Sequence, residues 1–175
     1  MKKIKIQKGQ IAEDSLLQKM LPTNYFDAFT CIVPHNTNIT TDELQIGFWA
    51  YRPQWAISLM RLRNALVKPL KLNTDNILTK ERVSNIVEGN DSNSLRLYEK
   101  TANETILYKD DKHLRFYFST QIVSINEKEL KVTVSTIVKF HNKIGRLYFA
   151  IISPFHTILV KCQFKRLINN LINTQ

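Results

Sequence analysis

Glycine is scarce in this chain: there are four in 175 residues, and none falls in a GxGxxG or P-loop spacing. Without those loops the backbone has no close approach to a phosphate, which excludes a built-in dinucleotide or Walker-type site. Cysteine is scarcer still. Cys31 and Cys162 lie far apart, with no CxxC pattern, and both sit in apolar segments. Buried, reduced thiols are expected, although the spacing alone leaves a bridge between them open. The four histidines form no HxH or HxxxH pair, and there is no nucleophile elbow and no suggestive Cys–His spacing. Neither a metal centre nor a cofactor is expected. The longest apolar run, Ile144 to Val160, is broken by Arg146, Pro154 and His156. It falls short of the ~20 residues of a membrane span. The start, Met1-Lys2-Lys3-Ile4-Lys5-Ile6, resembles a basic leader, but Gln7, Lys8, Gly9 and Gln10 follow where an apolar stretch should stand. A soluble, cytoplasmic protein is expected.

What is present is enough apolar material for a sizeable core, at 43% of residues, and a net charge of +10. The length fits a single domain over residues 1–175, with a core of about 21–172 and no internal repeat. The basic residues are scattered along the sequence. A composition bias toward Lys, Asn and Ile therefore accounts for the charge more simply than a nucleic-acid or anionic-membrane partner.

Patterning divides the chain in two. Residues 11–20 suggest a short helical turn, and Tyr25 to Val33 a strand stopped by Pro34. Thr40-Thr41-Asp42-Glu43 starts a helix to about Ala50, and Pro53 opens another to about Val67. Lys71 to Asp91 is rich in turn chemistry and is expected as a connection. Four strands then follow: Ser94–Lys100, Glu104–Lys109, Lys112–Ile125 and Glu129–His141. In the third, Leu114, Phe116, Phe118 and Ile122 alternate with Arg115, Tyr117, Ser119 and Gln121. That pattern predicts one buried face and one facing water. From Lys143 the period becomes helical, with Pro154 either kinking the helix or restarting it on Ser153. The first half of that helix is apolar nearly all round and is expected to be buried on most sides. The expected fold is α+β: a curved antiparallel sheet wrapped around a long C-terminal helix, with two short helices after the first strand. A helix crossing a twisted sheet diverges from it at one end and leaves room for a pocket.

Several separated blocks carry a family resemblance: Pro53 and Trp55; Leu62-Arg63-Asn64-Ala65-Leu66-Val67; Asp110-Asp111-Lys112-His113-Leu114; His141-Asn142; Gly145-Arg146-Leu147-Tyr148; and Pro154-Phe155-His156. Over roughly residues 21–166 the chain resembles a bacterial domain of unknown function within the START-like (SRPBCC, birch-pollen-allergen-like) helix-grip fold. Such domains often stand behind a short-chain-dehydrogenase-like NAD(P)-binding domain. The resemblance implies a pocket between sheet and helix, but no particular activity. Since no GxGxxG loop is present, that partner half is not expected in this chain, which would either meet a separate reductase in trans or work alone.

Candidate chemistry gathers in three places. Asp110, Asp111, His113 and Arg115 could form a base or an anion site. If His113 and Arg115 share a strand face they lie about 7 Å apart. A solvated hairpin with a surface ion pair explains the same residues. His141, Arg146 and His156 form a second set, in which His156 reads most simply as a hydrogen-bonded core histidine. Trp49, Tyr51 and Trp55 form a third, as an aromatic lining or as core packing. Arg52, Arg61, Arg63, Lys68 and Lys71 give the helix pair a basic side. The expected function is binding of a small apolar or amphipathic ligand by Trp49, Trp55, Arg115, Tyr148 and Phe155. The alternative is a cofactor-independent cyclase, dehydratase or isomerase using Asp110, Asp111, His113 or His156.

Overall fold

A computed structural model of the chain describes residues 4–50, 54–70, 78–90 and 95–173. Among these residues, six antiparallel strands form one sheet in the order β1-β2-β6-β5-β4-β3. They are β1 (Gln7–Gly9), β2 (Tyr25–Pro34), β3 (Arg96–Lys100), β4 (Glu104–Asp110), β5 (Leu114–Asn126) and β6 (Glu129–Phe140). The last strand returns to pair with β2 along its whole length, which places Asp27 opposite Thr136. Among the described residues, four α-helices accompany the sheet: α1 (Thr41–Ala50), α2 (Gln54–Val67), α3 (Lys80–Val87) and α4 (Lys143–Asn173). The α+β class and the long helix over a curved sheet are as the patterning predicts, an arrangement consistent with a helix-grip fold.

Helix α1 begins with a reciprocal cap. The Glu43 carboxylate accepts from the Thr40 backbone N–H at 2.8 Å, and the Glu43 N–H donates to Thr40 Oγ1 at 3.2 Å. Two of the donors that every helix start leaves without intrahelical partners are thereby satisfied. Helix α3 falls inside the stretch expected as a connection. Thr79 caps it, and Val83, Ile86 and Val87 bury its inner face against Leu95 and Leu107. Three apolar residues at i, i+3 and i+4 are enough for one short amphipathic helix, a signal masked by the turn residues around it.

The main core lies between the sheet and α4. Phe29, Phe118 and Phe164 are essentially sealed from solvent, and Val132, Val134 and Ile168 pack with them. Each such side chain contributes about 1.5–3 kcal/mol by leaving water. Helix α4 runs unbroken through Pro154, so no restart occurs at Ser153. By length and composition it could cross a membrane, but Val160, Phe164, Leu167 and Ile168 belong to the sheet core. The expectation of burial on most sides fails for its first half, because Ile144, Leu147 and Ile158 are all about half exposed.

The opposite face of the sheet is not open to water as the alternation predicts. Tyr117, Ser119, Gln121, Thr133 and Ser135 are buried. The 3-10 turn Leu16–Met20 and the residues before it cover part of this face, with Ile11, Leu17 and Met20 on Ile106, Tyr117 and Ile137. A buried carboxylate fastens this cover. Glu104, 2% exposed, accepts from Ser15 Oγ at 2.7 Å, from the Leu16 N–H at 2.8 Å, and from the Ser119 hydroxyl.

Candidate functional site

Helix α4 does not seal the sheet. Between them, closed on a third side by α1 and α2, is a cavity of about 260 Å³. Phe116, Phe118 and Val138 form its sheet wall, and Phe48, Trp49 and Ala56 its α1–α2 wall. From α4 come Tyr148, Phe149, Ile152, Phe155 and Leu159. For scale, an engineered apolar cavity of roughly 150 Å³ accepts benzene. Trp49 is held in place by donating its indole N–H to Gln45 Oε1 at 3.0 Å, while Gln45 itself donates to the carbonyls of Thr105 and Phe118.

Polar groups enter this apolar hollow at two places. In one corner stand Thr136 from β6 and His156 from α4, with Asp27 of β2 beside them. The Asp27 side chain has no exposed surface. Its Oδ2 accepts from the Tyr25 phenol at 2.8 Å and lies 3.4 Å from His156 Nε2, close enough for an ion pair and long for a hydrogen bond. Asp27 Oδ1, Thr136 Oγ1 and His156 Nε2 are buried and make no hydrogen bond of ordinary geometry, and they are neighbours: Thr136 stands opposite Asp27 in the strand register, and His156 Nε2 is the ion-pair neighbour of the Asp27 carboxylate. Such groups are rare, because each costs about 1–3 kcal/mol of desolvation. Three of them at one corner of a cavity make it a place where a guest's polar atom would be welcome. Burial by itself would raise the Asp27 pKa; the neighbouring His156, with the Tyr25 and Thr136 hydroxyls, outweighs it and holds the carboxyl below the usual range. Burial, ahead of the nearby Asp27 charge, pushes the Tyr25 phenol up to about 12, although Thr157 pulls the other way.

The second polar group is the hairpin between β4 and β5. Lys109, Asp111 and His113 line the cavity there, with Lys109 Nζ 3.1 Å from the Asp111 carboxylate. His113 is 8% exposed and meets Tyr148 edge-on at 4.9 Å between ring centres. The hairpin is clamped to the start of α4: Asn142 Nδ2 donates to the Lys112 carbonyl at 3.0 Å, and Asn142 Oδ1 accepts from the Gly145 N–H. Gly145 is required here, since a Cβ would stand 1.9 Å from the His113 carbonyl oxygen.

The structure divides the residues singled out from sequence. Trp49, Tyr148, Phe155, Asp111, His113 and His156 line the cavity. Trp55 does not: it is 43% exposed and outside the lining. Arg115 does not either, because its strand position points to the other face of the sheet. There it pairs with Asp110, whose other oxygen lies 2.7 Å from His141 Nε2. The expected cluster of Asp110, Asp111, His113 and Arg115 is therefore split by the sheet, and His113 and Arg115 do not share a strand face. The Arg115 hydrogen bond holds the Asp110 carboxyl below its ordinary range, with His141 adding to it against a smaller effect of burial. His141 and His156 have separate carboxylates, so the second set is also divided. Of the cysteines, Cys31 is buried and Cys162 exposed, and both are free. Tyr51 lies outside the described residues. Sequence reasoning missed Asp27 and Thr136. The available signal was that Asp27 is the only charged residue in the apolar run Tyr25 to Val33, in phase with Phe29, Cys31 and Val33.

These features define a class: an α+β helix-over-sheet protein with a largely apolar pocket between helix and sheet, flanked by buried polar groups. Within that class the chain belongs to the family described as protein of unknown function (DUF2867), whose model matches residues 20–163. No curated protein and no solved structure matches the chain.

Proposed function

We propose that the chain is a single START-like domain that binds a small, mostly apolar molecule in the cavity, with the molecule's polar end at Thr136 and His156. The observation that carries this reading is the coincidence of the aromatic hollow with the polar corner beside it, where Asp27 Oδ1, Thr136 Oγ1 and His156 Nε2 are buried with no hydrogen bond of ordinary geometry. Apolar walls supply the affinity, and a few fixed polar groups supply orientation. Naphthol, a two-ring aromatic with one hydroxyl, matches this design and reports its surroundings by fluorescence. It is expected to bind one to one. Thr136→Val should weaken binding about threefold to tenfold while leaving the fold intact, because it removes one hydrogen-bonding group at the polar end. Binding equal to wild type in both Thr136→Val and His156→Ala would place naphthol elsewhere and count against the reading.

One further observation favours a second reading, a cofactor-independent enzyme of isomerase, dehydratase or cyclase type. A carboxylate sealed behind a cavity-lining histidine can fix the ring's orientation for proton transfer. In this reading His156 carries the proton and Asp27 positions it. A nitrobenzisoxazole tests the idea: one base removes its carbon-bound proton as the N–O bond opens to a phenolate. Catalysis lost in His156→Ala, and reduced in kcat rather than KM in Asp27→Asn, supports the enzyme. A rate no higher than that of free imidazole removes it.

A further inference from the structure

The basic residues are scattered, but the acids are not. There is no Asp or Glu between Glu43 and Asp75, and none after Glu129. Residues 44–74 carry five Lys and Arg and residues 130–175 carry seven, so the remaining thirteen cations face all fifteen acids. The rest of the chain is thus slightly acidic, at −2, and the whole excess of positive charge belongs to two stretches. The fold brings their helices together, because α2 packs against α4. Helix α4 itself holds Lys143, Arg146, Lys161, Lys165 and Arg166 and no acid, and all five are exposed.

The same two helices expose apolar side chains. Trp55 and Leu62 on α2, and Ile144, Leu147 and Ile158 on α4, are each 43–56% exposed. On α4 they recur with half-buried Ile151 at spacings of three, four and seven residues, which is one side of a helix. The stripe runs for about 21 Å at 1.5 Å per residue. Lys143 and Arg146 stand at one end and Lys161 and Lys165 at the other. The inner face of the helix is committed to the core through Phe164, Leu167 and Ile168, so this is a helix that can lie on an apolar boundary and not cross it.

We infer that the outer surface of α2 and α4 docks on an anionic lipid bilayer, the apolar stripe and Trp55 entering the acyl boundary and the flanking cations meeting lipid phosphates. Charge complementarity selects this occupant. A nucleic acid would use the cations but leave the apolar stripe in water, and a second copy of this chain would set cation against cation across the interface. The inference does not depend on the cavity being occupied. Should both hold, they have a common consequence: Ile152, Phe155 and Leu159, on the cavity side of the same helix, would lie close to the bilayer that supplies an apolar guest.

The test is co-sedimentation of the full chain with phosphatidylcholine vesicles, with and without about a third phosphatidylglycerol, across a salt series. Binding is expected only with the anionic lipid and should weaken steeply as salt rises. Leu147→Glu and Ile158→Glu replace side chains already exposed, so the fold should survive, as circular dichroism and naphthol binding would verify. Each should weaken vesicle binding at least tenfold. Lys161→Glu with Lys165→Glu should do the same and flatten the salt dependence. Absence of binding to anionic vesicles at low salt by folded protein overturns the inference. So does vesicle binding that ignores Leu147→Glu, or a wild-type dimer that Leu147→Glu dissociates. Tighter binding to duplex DNA, unchanged in Leu147→Glu, would assign the charge to nucleic acid instead. Failure of naphthol to bind wild type, with vesicle binding intact, would touch only the proposed cavity function.

Discussion

A carboxylate with no exposed surface must be held by its neighbours or lose its charge, and Asp27 is held. Its folded-state pKa is depressed, so it contributes stability above the ordinary carboxylate range of about 3.9, and that contribution is lost as pH falls through the lower folded value. Asp27→Asn should cost about 1–3 kcal/mol at neutral pH, since the amide is a weaker partner for His156 and Tyr25. It should also lose less stability than wild type between neutral and strongly acidic pH. Urea unfolding at a series of pH values reads both, and taking the difference between the two proteins cancels the contribution of Asp110. Parallel profiles would show that the surroundings of Asp27 do not depress its pKa. The cysteines give a second comparison. Burial pushes the Cys31 thiol up to about 12, whereas Cys162 is exposed. Maleimide should modify only Cys162 in the native protein, and Cys31 should follow at the rate of unfolding. Mass spectrometry of the tryptic peptides distinguishes the two sites.

Elements meet at two fastenings. At the first, α4 begins against the β4–β5 hairpin with no room for a Cβ on Gly145. The clash is with backbone, which cannot rotate away, so Gly145→Ala should destabilise by more than about 2 kcal/mol despite alanine's better helix propensity. Gly47→Ala is the control: there the near atom is the tip of the Leu167 side chain, which can shift. Equal melting temperatures for the two variants would contradict the close approach. At the second fastening, Glu104 binds the cover formed by residues 11–20. Glu104→Ala should leave the Ser15 and Ser119 hydroxyls without their acceptor, and backbone amides near Leu16 and Leu17 should exchange with solvent before the rest of the sheet. Elements with one strong period were legible in the sequence: β2, β4 to β6 and α4 fall within a few residues of expectation. The short pieces, β1 and α3, were not. The buried polar side of the sheet was not legible either, because Ser119, Thr133 and Ser135 look the same in sequence whether water or a folded N-terminal segment covers them.

At the scale of the molecule, two properties arise only on folding. One is the cavity, whose aromatic walls come from α1, β5 and α4 and whose polar corner joins β2, β6 and α4. Trp49, Tyr148 and His156 could be picked out because each is conspicuous in sequence. Thr136 could not, being one of two threonines in a strand that also holds a serine. The other is the charge division, visible in sequence only when the acids are mapped and given meaning by the packing of α2 on α4. The central claim is that the cavity accepts a small guest, and the most direct measurement is ligand-dependent thermal stability with the cavity left open or filled. Naphthol at about a hundred times its dissociation constant should stabilise wild type by about 2.7 kcal/mol. Ile152→Trp places a larger ring in the same space; it should melt cooperatively without ligand and show no stabilisation when naphthol is added. Equal stabilisation of both proteins, or none of wild type, would contradict the account.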